Sequence, residues 1–231
     1  MSRRRARRAG GAMLALALML AGGPLEARVG GKQLRDWVRS WLGNVPIATG
    51  GTRGENRPTD NLCLLHPWIQ PQTSPPVALI SVPRPALVSA TPISRISLAD
   101  GSARFLGTAE IPAKTATPRG LIPWPEKWPP LVPGQRYQLY LNLAQTGEDA
   151  NLILQAGSEA DFRQTRDLIQ SLGSNPGDWE RAIEAQLDGA APPSAASRAR
   201  AASLLFAPEA PDSLQGLRQS LSHNPCGGGT P

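Results

Sequence analysis

Prolines set the first limit on this chain. They fall at 75, 76, 83, 85 and 92, and again at 123, 125, 129, 130 and 133. Proline has no backbone donor and its ring clashes with the preceding turn, so no helix runs through either group. With 24 prolines and 23 glycines in 231 residues, the chain reads as loop-rich and built from short strands.

Extended segments lie between these breaks. They are 62–65, 77–82, 86–90, 93–98, 103–111, 137–143 and 151–155. The sequence ADGSA at 99–103 is a hairpin turn with Asp100 and Gly101 at its tip, and TGED at 146–149 turns the chain again. Tyr137, Leu139, Leu141 and Leu143 share one strand face, while Gln138, Tyr140 and Asn142 share the other. Short strands at this spacing predict a mainly β domain over 62–156, an antiparallel sandwich of immunoglobulin-like type. The ramp GLIPWPEKWPPLVPG before the 137–143 strand is too rigid for a helix. Burial is the main way large aromatics stabilise, so Trp124 and Trp128 are expected to cap an open end of the core. The rival is an exposed aromatic platform for a ligand such as a glycan.

At Ser158 the period changes from two to 3.6. SEADFRQTRDLIQSLG and NPGDWERAIEAQL predict two helices within 157–189, the first with a capping-box start at Ser158 and Asp161. These form a C-terminal helical appendage. Residues 190–231 read as a low-complexity tail, weakly helical or disordered. Residues 28–61 hold a short amphipathic helix, KQLRDWVRSWLG, and a Gly-rich loop that lacks the Lys-Ser/Thr ending of a phosphate cradle.

Five arginines stand in the first eight residues, ahead of an apolar run and a small residue at Ala27. That order predicts a signal peptide over 1–27 and export to the periplasm or the extracellular space. Membrane contact is then expected through the signal segment alone. Of 24 basic and 18 acidic residues, those five arginines and Glu26 leave with the signal, so 19 and 17 remain. The near balance removes the main support for nucleic-acid binding.

No catalytic or cofactor-binding motif is present, and the chain has two histidines to offer as general bases. One constellation stands out. Cys63-Leu-Leu-His66 and His223-Asn-Pro-Cys226 contain every cysteine and histidine of the sequence, in mirrored order. Export favours a Cys63–Cys226 disulfide. The four side chains Cys63, His66, His223 and Cys226 would equally suit a tetrahedral structural zinc. A third reading leaves them unengaged.

The segments GGTRG at 50–54, Cys63 and WPPLVPGQRYQLYL at 128–141 resemble an uncharacterised secreted family of cyanobacteria, domain of unknown function 928. The resemblance covers roughly 48–187. It implies a leader, a Gly-Thr-Arg-Gly segment near a cysteine, a β domain and C-terminal helices, and it implies no activity. Together these readings predict an exported, non-enzymatic module with a binding or structural role at the cell envelope, its partner an envelope protein or a glycan. An envelope enzyme acting on a polymer is the alternative, and it would need paired carboxylates in a polar cleft.

Overall fold

The computed structural model describes residues 46–47, 62–70, 73, 75–112, 121–188 and 193–221. The expected signal segment, the KQLRDWVRSWLG helix and the Gly-rich loop lie outside the described residues, and of residues 28–61 the structure describes the two-residue strand β1 (Pro46–Ile47).

Two sheets make up the β part. The four-stranded sheet joins β1 to β2 (Leu62–His66), β5 (Leu87–Ser89) and β8 (Leu121–Ile122). The six-stranded sheet runs β3 (Trp68–Ile69), β4 (Val77–Ile80), β10 (Asp149–Ala156), β9 (Arg136–Leu143), β6 (Ile93–Asp100) and β7 (Phe105–Glu110). Every segment expected to be extended carries a strand. Inward residues of both sheets meet in one core, with Leu62, Leu64 and Leu87 from the first and Ile96, Leu139, Leu141 and Leu152 from the second. The alternation in β9 is realised: Tyr137, Leu139, Leu141 and Leu143 are buried, and the residues between them face out.

The antiparallel expectation needs one correction. β4 and β10 pair in parallel, Val77 opposite Ile153 and Ile80 opposite Ala156. Antiparallel neighbours can be joined by a tight turn, but parallel ones need a long crossover. Here five strands, β5 to β9, fill the connection.

The hairpin between β6 and β7 turns at Asp100, as its sequence predicts. The Asp100 carboxylate accepts from the Ser102 hydroxyl at 2.7 Å, from the Ser102 and Arg104 amides, and from the Arg104 guanidinium at 3.0 Å. These donors, the Ser102 hydroxyl foremost, pull the carboxyl down to about 2 against its small desolvation.

The proline ramp closes the core. Trp124 and Trp128 are both buried and meet edge to face at 5.2 Å, so the exposed-platform reading is replaced by the capping one. Trp124 Nε1–H donates to the Pro129 carbonyl at 3.2 Å. The Leu131 amide donates to the Pro83 carbonyl at 2.8 Å, pinning the ramp to the turn after β4. Pro133 and Gly134 then turn the chain into β9, with Gly134 at φ 76°, a conformation that suits glycine. Trp128 occupies the space that Gly107 leaves open on edge strand β7, and a Cβ at Gly107 would stand 2.3 Å from the indole nitrogen. Gly107→Ala is therefore expected to displace Trp128 and cost about 1–3 kcal/mol. Urea denaturation followed by tryptophan emission checks this, and an unchanged midpoint would refute the close packing.

Helices α1 (Glu159–Ser171) and α2 (Pro176–Leu187) appear where the period changes. The Ser158 hydroxyl accepts from the Asp161 amide, and the Asp161 carboxylate accepts from the Ser158 amide. Asn175 caps α2, and Pro176 sits in its first turn where no donor is needed. Of the two readings of the tail, weakly helical or disordered, the helical one holds over the described part, and its helices are packed into the fold. Residues 195–205 form α3 (Ala195–Leu205), capped by Ser194, and a 3₁₀ turn (Asp212–Leu214) leads into α4 (Gln215–Leu221). α3 is buried from Ala199 to Leu205 on every side. It packs with Trp179, Ile183 and Leu187 of α2, and with Leu65, Trp68 and Val88 of the strands, in a second core. No helix of the described residues is long and apolar enough to cross a membrane.

Candidate functional site

The second core does not close completely against the first. A cleft of about 660 Å³ remains between the helices and the strand-connecting segments. One wall is the 82–86 turn after β4 together with Pro130–Pro133 of the ramp. The other is α1, through Phe162 and Ile169, and the end of α3, through Ser203, Phe206 and Ala207. The same prolines that forbid a helix thus give the cleft a stiff wall.

His66, at the end of β2, lines this cleft. The chain changes sheets there, for Trp68 begins β3 in the other one, across a cis His66–Pro67 bond. The ring is 3% exposed. Its Nδ1 lies 2.6 Å from the Ala86 carbonyl oxygen, and its ring centroid is 5.4 Å from that of Phe206. A carbonyl can only accept, so Nδ1 carries the proton and Nε2 keeps a lone pair. Burial pushes the imidazole down to about 4, and the Ala86 bond opposes this only partly. At neutral pH the cleft therefore contains an uncharged ring of fixed tautomer, able to accept one hydrogen bond.

Charges stand outside it. Arg84, Arg166, Glu159 and Glu209 are exposed side chains along the same cleft. Arg166 is 3.4 Å from Asp167, a solvated pair that contributes little to stability. Below α1, Arg200 is buried and joins three helices, donating to Gln186 of α2 at 2.8 Å and approaching Asp161 of α1 at 3.4 Å. Its Nε has no hydrogen-bond partner among the described residues. On the strand side, the Ser81 hydroxyl donates to Ser203 at 2.9 Å and holds α3 to β4.

Of the four residues singled out by their spacing, the structure places His66 in this cleft. The backbone of Cys63 lies in β2 opposite Pro46, while His223 and Cys226 lie outside the described residues. The disulfide and the zinc site both fall there. Among the described residues no group of three or more His, Cys, Asp and Glu side chains could hold a metal ion. Sequence reasoning missed Ala86 and Phe206 as neighbours of His66. Ala86 is 20 positions from His66 and Phe206 lies in the segment read as a tail, so no local spacing announces either contact. No family model matches the chain, and no curated protein and no solved structure matches it.

Proposed function

We propose that this is an exported module with an immunoglobulin-like sandwich that binds an amphipathic ligand in the cleft beside His66, at the cell envelope. Membership of the secreted family that GGTRG and WPPLVPGQRYQLYL resemble belongs to the same reading. The observation that carries it is the buried imidazole set among apolar side chains, with the charged residues of the cleft at its exposed margin. Ligand sites commonly combine a concave apolar lining with a few placed polar groups. Val82, Leu131, Phe162, Ile169 and Phe206 supply the lining, and His66 Nε2 supplies the acceptor. The ligand so selected has an apolar body and one donor. Binding is favoured over turnover because burial makes the His66 imidazole a weak base, and the cleft's carboxylates, Glu159 and Glu209, are solvent-exposed.

N-phenyl-1-naphthylamine, an apolar fluorophore with one N–H, is a direct probe. Saturable binding with enhanced emission is expected. His66→Phe removes the acceptor and is expected to weaken the probe about fivefold, the worth of one hydrogen bond. Naphthalene, which has no donor, is expected to bind both proteins equally. Val132→Trp, which narrows the cleft from an exposed position of its wall, is expected to weaken both ligands strongly. No saturable binding, or binding untouched by Val132→Trp, would reject the site. The export part fails if protein from the native host still begins at Met1.

A further inference from the structure

A second surface lies away from the cleft, on the outer face of β7, β6, β9 and β10. Outward residues on such a face are ordinarily polar and solvated. Here Phe105 of β7 is 66% exposed and leans across β6 to Tyr140 of β9, the rings near-parallel at 26° with centroids 5.8 Å apart. They form one side of a trough of about 260 Å³. Its other members are polar. Ser97 and Thr108 share a hydroxyl bond of 2.9 Å across the strands. The Asn142 side chain is locked, its Nδ2 donating to the Gly147 carbonyl and to one Asp149 oxygen at 2.9 Å, and its Oδ1 accepting from Ser94 at 2.7 Å. That leaves the second Asp149 oxygen open. Arg95, exposed in the same trough, makes no side-chain hydrogen bond or ion pair among the described residues.

We infer that this trough is a binding site for a neutral saccharide chain. A sugar ring has an apolar C–H face and a rim of hydroxyls. The aromatic wall matches the first, as amphipathic aromatic contacts do elsewhere. Hydroxyls donate and accept at once, so a guanidinium and an open carboxylate oxygen lining one trough suit them. The same two groups oppose each single-sign ligand: Asp149 repels phosphates, and Arg95 repels cations. A wall of two stacked rings on an open sheet leaves room for a chain that runs past both ends. The site is independent of the His66 cleft, and it gives the module a partner class of its own.

Affinity electrophoresis in gels containing hydroxyethyl cellulose, glycol chitin or xylan tests the inference. Retardation by at least one polymer is expected. Phe105→Ala and Tyr140→Ala are each expected to weaken it about tenfold, as buried aromatic anchors do at interfaces. Arg95→Gln and Asp149→Asn are expected to weaken it several-fold. Phe105 is mostly exposed, so its alanine variant is expected to unfold at the unchanged urea midpoint, separating lost binding from lost structure. Val132→Trp, at an exposed position of the cleft wall, is expected to leave retardation intact. Mobility unaffected by all three polymers overturns the inference. So does retardation that survives Phe105→Ala, or retardation that disappears with Val132→Trp. A chain that binds single-stranded DNA and none of the polymers also overturns it.

Discussion

Ending the chain after Asp188 is expected to abolish cooperative folding, although the removed residues read as a tail. The lost segment carries Leu204, Leu205 and Phe206, each buried to within 3% of full burial, together with Leu214 and Leu217. Burying one such side chain stabilises by about 1.5–3 kcal/mol. The first three alone come to roughly 5–9 kcal/mol, against a total of about 5–15 kcal/mol for an ordinary domain. The remaining part suffers as well. Trp179, Ile183 and Leu187 lose their cover, and so do Leu65, Trp68 and Val88 on the strands. Ser81 would lose its bond to Ser203, and Asp161 its contact with Arg200. Urea unfolding of the shortened and full chains, read by tryptophan emission and by amide-proton dispersion, distinguishes the cases. A shortened chain with the full chain's midpoint and slope would show that α3 and α4 are an appendage after all.

That error has a physical source, and the successes do too. β9 was legible because one of its faces is core and the other is wet, which prints alternation on the sequence. The starts of α1 and α2 were legible because Ser158, Asp161, Asn175 and Pro176 act locally. α3 had no such contrast. A helix buried on all sides shows no stripe, so SRARAASLLF reads as no more than a weak helix after the GAAPPSAAS linker. β1, β3 and β8 have two residues each, too few to show any period, and they exist because a neighbouring strand pairs with them. The parallel pairing of β4 with β10 is likewise a tertiary fact. The site divides in the same way. His66 drew notice through its spacing from Cys63, which suggests ligation. Its placement comes from Ala86 and Phe206, contacts that the chain makes only once both cores have formed.

Acid is expected to weaken the fold through that histidine. In the unfolded chain His66 takes up a proton near pH 6.5; in the fold, burial holds it at about 4. Between these values the unfolded state binds the proton and the native state does not. Stability from the neutral ring is therefore complete above about pH 6.5, falls as the pH drops toward 4, and changes little below that. The loss over this window is about 3 kcal/mol, enough to matter for a domain of ordinary stability. His66→Asn isolates the effect, because the Asn amide places a donor where Nδ1 stands and does not titrate in this range. The charges around the cleft, Arg84, Arg166, Glu159 and Glu209, are common to both proteins, so their own pH dependence cancels in the difference. Unfolding free energies measured from pH 7.5 to pH 4 are expected to converge toward acid, with the native protein losing about 3 kcal/mol more than the variant. Parallel curves would mean that the ring titrates in the fold as it does in the unfolded chain, and a native curve that rises toward acid would mean that the fold holds the ring charged. In the second case the cleft would present a cation, and the acceptor on which its proposed ligand depends would be absent.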